Sequence, residues 1–156
     1  MKKAFKLALF ISMLLPTIGF GQKFNDEMSI LLSPTLKDFN SIKGDFISTD
    51  NQSGISQYKC TQTLDGFNTY ICLVANNSPL FIAHSSGPNA DLNVAMFIML
   101  PPTGFDRYDS QTDKSIVLKD DVKRKVNLIS YDKRTIVSIT FWKKDTYSMS
   151  ITKDFK

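Results

Sequence analysis

Few residues in this chain are of types that do chemistry, and their spacing decides what they are worth. The one histidine, His84, is followed by Ser85 and Ser86. Histidine can act as the base for a serine nucleophile only if the two side chains meet. Neighbours on a strand point to opposite faces, and no G-x-S-x-G turn presents either serine. A loop histidine at a strand end is the plainer reading. Asp109, Asp113, Asp120 and Asp121 would suit a paired-carboxylate hydrolase if two of them converged on a sugar. With a single His and two Cys, a metal site would need mostly carboxylates, an uncommon ligand set. P-loop, dinucleotide and EF-hand patterns are absent. No catalytic residue, metal ligand or cofactor is assigned, and the sequence favours a chain without catalysis.

The remaining reactive pair is Cys60 and Cys72, and its chemistry depends on compartment. The opening MKKAFKLALFISMLLPTIGFGQ places three lysines before an apolar run from Leu7 to Leu15, then Pro16, then Gly19 and Gly21. This is the anatomy of a secretory signal, with cleavage expected after Gly21. The run is shorter than the roughly 20 residues a membrane span needs. Residues 1–21 are thus read as a signal peptide and 22–156 as one secreted or periplasmic domain. In an oxidising compartment two cysteines on facing strands, at this spacing, form a disulfide.

Composition narrows the partners. The chain has 156 residues, 42% of them hydrophobic, enough for one domain with a real core. Its formal charge of +4 includes Lys2, Lys3 and Lys6; without them the basic side chains exceed the acidic ones by one. A near-neutral domain has little long-range attraction for nucleic acid or a membrane surface.

The elements that must position these residues can be read from periodicity. Phe24, Met28, Leu31, Leu32, Leu36 and Phe39 recur at helical spacing. They predict a helix over about 25–32, a bend at Pro34 and a further turn or two to Asn40, stopped by Gly44. A short strand follows near Phe46–Thr49. Tyr58–Val74 reads as a β-hairpin turning at Asp65-Gly66, with one cysteine on each arm. A plain Asp-Gly turn there would set Cys60 and Cys72 out of register, so a bulge or an odd-numbered loop is required. Leu80–Ala83 is a further strand. The stretch 89–102 reads as a largely buried helix stopped by Pro101-Pro102. Ser115–Lys119 is a candidate short strand. Lys125–Tyr131 and Thr135–Lys143 form a second hairpin around Asp132-Lys133-Arg134, and Thr146–Thr152 closes the sheet. In this last strand Tyr147, Met149 and Ile151 alternate with Ser148, Ser150 and Thr152.

Laying Asn25 on Asn93 and continuing without a gap sets NDEMSILLSPTLKD on NVAMFIMLPPTGFD, with identities that include Met28/Met96, Ile30/Ile98 and Pro34/Pro102. Either the halves 22–88 and 90–156 are repeats or the match is chance. In that frame Cys60 falls on Leu128 and Cys72 on Thr140, which alternation places on opposite faces, so one assignment in that hairpin conflicts. The expected fold is α+β: a curved antiparallel sheet with two helical segments on one face, each half a helix plus three or four strands. That order of elements resembles the tandem helix-plus-sheet repeats of the secreted β-lactamase inhibitor proteins. The likeness lies in element order and carries no residue role across.

One sheet face would then be uncovered. Trp142 and Ile136 share a strand face opposite Val137, Ile139 and Phe141, and Tyr70 would join them. The polar connection Pro101–Asp113 carries Phe105, Arg107 and Tyr108, residue types that binding sites use. The expected function is a small exported, non-catalytic binding module for a protein or amphipathic ligand, held on the open face or the 101–113 loop. The alternative is a secreted hydrolase using aspartates, with or without His84.

Overall fold

The computed structural model describes residues 21–36, 39–75, 78–85, 88–143 and 146–153; side chains at 69, 70, 74, 75, 78, 79, 85 and 88–91 fall outside that description. Residues 1–20, which hold all but the last residue of the expected signal, also lie outside it.

The first helix, α1, runs over residues 21–32 among those described. Phe24, Met28 and Leu31 recur on one helical face, and all three are buried. The helix ends before Pro34, because a residue preceding proline is disfavoured in helical conformation. Lys153, from the far end of the chain, donates Nζ–H bonds to the carbonyls of Ser33 and Leu36. A buried cation thus sits where the helix dipole is negative. A 3-10 turn at Asn40–Ile42 leads straight into strand β1, Lys43–Asp50.

Gly44 lies inside β1 and is not a helix stop. A Cβ there would stand 3.2 Å from the Lys59 carbonyl. Glycine therefore permits a close approach of two strands. β2 (Ile55–Cys60), β3 (Thr69–Ala75) and β4 (Ser78–Ser85) complete a four-strand meander. Helix α2 is Pro88–Met99, and β5 (Phe105–Asp109), β6 (Val122–Ser130), β7 (Thr135–Trp142) and β8 (Tyr147–Lys153) make a second meander. The order β1-β2-β3-β4-β8-β7-β6-β5 is one antiparallel sheet, open at β1 and β5. β8 therefore lies in the centre, between β4 and β7, and does not close the sheet at an edge.

The helices occupy one face. Phe24 of α1 meets Phe97 of α2 edge-on, with ring centroids 5.7 Å apart. Both pack in a single core with Cys72, Phe81, Val126, Leu128, Val137, Ile139, Met149 and Ile151. The α+β fold with an antiparallel sheet is as expected from periodicity. Three local expectations are corrected. Residues Ser115–Lys119 form no strand, and Val117 is 91% exposed there. The stretch 101–113 is no continuous loop, since β5 occupies its middle. Helix α2 is buried on one side only, with Leu92 at 54% and Met99 at 67% exposure.

The Asp65-Gly66 turn exists, with Gly66 at φ 84, but it does not close the hairpin. It lies within a longer connection, 61–68, whose Leu64 and Phe67 plunge into the core. Thr63 Oγ1 and the Asp65 N–H both donate to the buried carboxylate of Glu27, latching this connection onto α1. Tyr58 stands opposite Cys72, both facing the helices, and the ladder stops at Lys59–Ile71. A disulfide joins Cys60 to Cys72 at the mouth of that connection, with Cα atoms 5.5 Å apart.

The two meanders occupy matching places. In the frame that lays Asn25 on Asn93, Cys60 corresponds to Leu128, and Phe81 and Ala83 to Met149 and Ile151, all facing the helices. β3 matches β7 one step short of that frame, which sets Cys72 on Ile139 and removes the facing conflict with Thr140. The helices match two steps beyond it, Phe24 on Val94 and Met28 on Ile98; without those steps buried Met28 would fall on exposed Met96.

Candidate binding surface

Strand alternation puts every second residue of this sheet on the side away from the helices. On β8 the buried Met149 and Ile151 alternate with partly exposed Ser148, Ser150 and Thr152. On β7 buried Val137 and Ile139 alternate with partly exposed Ile136, Ser138 and Thr140. The same holds for Phe81 and Ala83 against Leu80, Ile82 and the exposed His84 on β4. No described residue of the second face on these strands is buried. That face is open.

Register turns the open face into rows. Ile71, Ile82, Ser150, Ser138, Asn127 and Tyr108 are successive cross-strand neighbours from β3 to β5. Leu73, Leu80, Thr152, Ile136, Ile129 and Asp106 form the adjacent row. His84, Ser148, Thr140 and Lys125 form a third. Each of the two longer rows spans about 24 Å at the usual strand spacing. The surface is aliphatic over β3 and β4, hydroxyl-rich over β8 and β7, and aliphatic again at Ile136 and Ile129. Ser138 donates to Asn127 Oδ1 at 2.9 Å, and Trp142 Nε1–H to Ser148 Oγ at 3.1 Å, so the polar groups are knitted to one another.

The six candidate residues separate. Trp142, Ile136 and Tyr108 stand on the open face, Tyr108 at 42% exposure near its edge. Phe105 packs against the helix-side core instead. Arg107 is tied to Asp109 at 2.6 Å and to the Ile98 carbonyl at 3.3 Å. Tyr70 is paired with buried Ala83, a register position of the helix side and not of the Trp142 face; its side chain lies outside the described residues. Ile71, Leu73, Leu80 and Ile82 were not legible as surface, because both faces of β3 and β4 are apolar in sequence.

His84 is not brought to Asp109. His84 on β4 and Asp109 on β5 lie at well-separated strands of the sheet, and on opposite faces. Four strand steps at the usual spacing put them about 19 Å apart. Asp109 is buried and bound by Arg124 through Nε at 3.1 Å and Nη2 at 2.5 Å, as well as by Arg107. The Arg124 guanidinium first, then Arg107, holds its carboxyl far below the ordinary carboxylate range against the opposing effect of burial. Held this way, the carboxylate anchors β5 to β6. Asp113 caps its own turn by accepting from Ser115 N–H and Oγ–H. Among the described residues no three His, Cys, Asp or Glu side chains converge as a metal site would require. No helix among them is long and apolar enough to cross a membrane. Comparison of the chain with protein-family models, curated proteins and solved structures gives no match.

Proposed function

We propose that this chain is an exported, non-catalytic binding module that holds a protein partner against the uncovered sheet face. The observation that carries the reading is the one-sided core: the helix side of β4, β8 and β7 is buried, while Ile82, Ile136 and Trp142 remain in contact with solvent on the other. Antiparallel sheets with one wet face normally make it polar, and aliphatic and aromatic groups left there mark an interaction surface. The hydroxyl band supplies donors and acceptors for a polar rim. The near-neutral charge of residues 22–156 speaks for a protein over nucleic acid. The Cys60–Cys72 disulfide supports an oxidising compartment, in keeping with the signal-like N-terminus.

A photo-cross-linking residue placed at Ser150, the centre of the face, tests this in the producing cell. One dominant adduct is expected, lost when Ile82→Lys and Ile136→Lys are added and kept when Leu92→Lys is added on the exposed side of α2, across the sheet from that face. No adduct, or adducts indifferent to the two face substitutions, would sink it.

A further inference from the structure

Cleavage after Gly21 would make Gln22 the first residue of the exported chain. Residue 22 lies in the first described turn of α1, and Gln22 and Lys23 are both exposed. The core begins directly after them. Phe24 is buried and meets Phe97 edge-on, and Met28 and Leu31 follow it inward. Of the described residues the cut removes only Gly21, so every buried residue of α1 stays in place. The new terminus would stand in solvent, tethered two residues on by Phe24.

A terminal glutamine can close on itself. Its free α-amine attacks the side-chain Cδ, and the new N–Cδ bond completes a five-membered lactam. The bond from Cδ to the carboxamide nitrogen breaks, and that nitrogen leaves as ammonia with the proton shed by the amine. Nothing is oxidised or reduced, and no co-reactant is consumed. The start of α1 favours the product. The first N–H groups of a helix lack intrahelical acceptors and form the positive end of its dipole. A free α-ammonium at Gln22 would add like charge there, beside Lys23. Lys23 already draws on Asp65, 3.8 Å away, and Glu27 accepts from Thr63 Oγ1 and the Asp65 N–H. Asp26 is exposed in the same turn, where solvent weakens its pull. A lactam is neutral and removes the clash with the dipole.

We propose that Gln22 is a modification site, converted after export to pyroglutamate, so that the domain begins with a neutral lactam on the first turn of α1. The inference rests on the export reading, through cleavage after Gly21, and is independent of what the open face binds. Aminopeptidases need a free α-amine, so the lactam also closes the exposed Gln22–Lys23 end to trimming toward Phe24.

The test is mass spectrometry of the protein released by the producing cell after expression of the full chain. Free amines are reductively methylated at once, which marks an open Gln22 α-amine and prevents its later closure. The peptide ending at Glu27 is then fragmented. It is expected to start at residue 22, to carry no mark on its terminal nitrogen and to weigh one ammonia less than the encoded sequence. Gln22→Asn keeps a carboxamide but could close only a strained four-membered ring, so its α-amine should be marked and its mass full. Incubation with an aminopeptidase should trim Gln22→Asn and spare the wild type. A peptide starting at residue 22 with a marked amine would overturn the proposal and leave the export reading standing, as would an unmarked terminus in Gln22→Asn. A released chain starting at another residue would overturn it together with the cleavage position, and a chain retained in the cell with residues 1–21 would overturn it together with export.

Discussion

Trp142 donates its indole N–H to the hydroxyl of Ser148, 3.1 Å away, across two neighbouring strands on the uncovered sheet face. Ser148 is paired with Thr140, so the bond runs diagonally from the end of β7 to β8 and ties the chain's one tryptophan to the hydroxyl band. Trp142→Phe keeps an aromatic ring and loses only this bond, so urea unfolding should show a loss of about 1 kcal/mol or less. Trp142→Ala should leave a folded domain yet weaken partner binding tenfold or more, as aromatic anchors do. Partner binding should also shield the Trp142 emission from iodide quenching; unchanged quenching would exclude it from the interface.

Asp109 joins two guanidiniums at the β5 edge, and removing its charge leaves both arginines without their shared partner. Asp109→Asn should destabilise the domain by about 2–3 kcal/mol near neutral pH, less than a fully buried broken pair costs because both arginines are partly exposed. The folded carboxyl is depressed, so its contribution is full above the unfolded-state value of about 3.9 and fades as pH falls below it. Wild type and variant should therefore converge in denaturant midpoint under acid. A gap that stays constant as the pH is lowered through that region would contradict the assignment.

The Cys60–Cys72 disulfide closes the mouth of the connection that Glu27 latches to α1. Converting both cysteines to alanine should cost about 3 kcal/mol in the chain-entropy account of a short closed loop. Glu27→Ala should cost about 1–3 kcal/mol, because the Asp65 N–H loses its acceptor in a partly buried place. The two act on one connection, so the triple variant should depart from the sum of the separate losses. Strict additivity in urea denaturation would show that the latch and the disulfide are independent.

Lys133 adopts a left-handed conformation, φ 57, in the turn between β6 and β7. A residue with a Cβ is strained there by about 1–2 kcal/mol, an effect partly offset by the greater freedom of glycine in the unfolded chain. Lys133→Gly should raise stability by up to about 1 kcal/mol, seen as a higher thermal midpoint. A fall would mean that the Lys133 side chain makes a contact worth more than the strain.

Much of this architecture can be read from local pattern. Alternation assigns Met149 and Ile151 to one side of their strand and Ser148 and Ser150 to the other. That division holds because pleating is a property of the backbone alone. Two helices, two hairpin regions and the cysteine pairing follow from periodicity and turn chemistry in the same way. Gly44 and Asp65-Gly66 misled because each carries a local meaning, a helix stop or a hairpin turn, that tertiary packing overrode. Gly44 serves the approach of Lys59, and Leu64 and Phe67 draw their turn into the core.

Long-range pairing decided the rest. No local signal says that the last strand enters the middle of the sheet: β7 is its hairpin neighbour, but its other neighbour, β4, is distant in the chain. Where β3 and β4 are apolar on both faces, period two is silent, and only the placement of the helices shows that Ile71 and Ile82 are the wet side. Phe105 and Arg107 read alike as loop residues, yet pairing of β5 with β6 turned both toward the helices and left Tyr108 outside. Sequence alone thus determined which residues share a face, through backbone geometry within each strand. Which face is covered, and what stands beside what upon it, came from packing between elements distant in the chain.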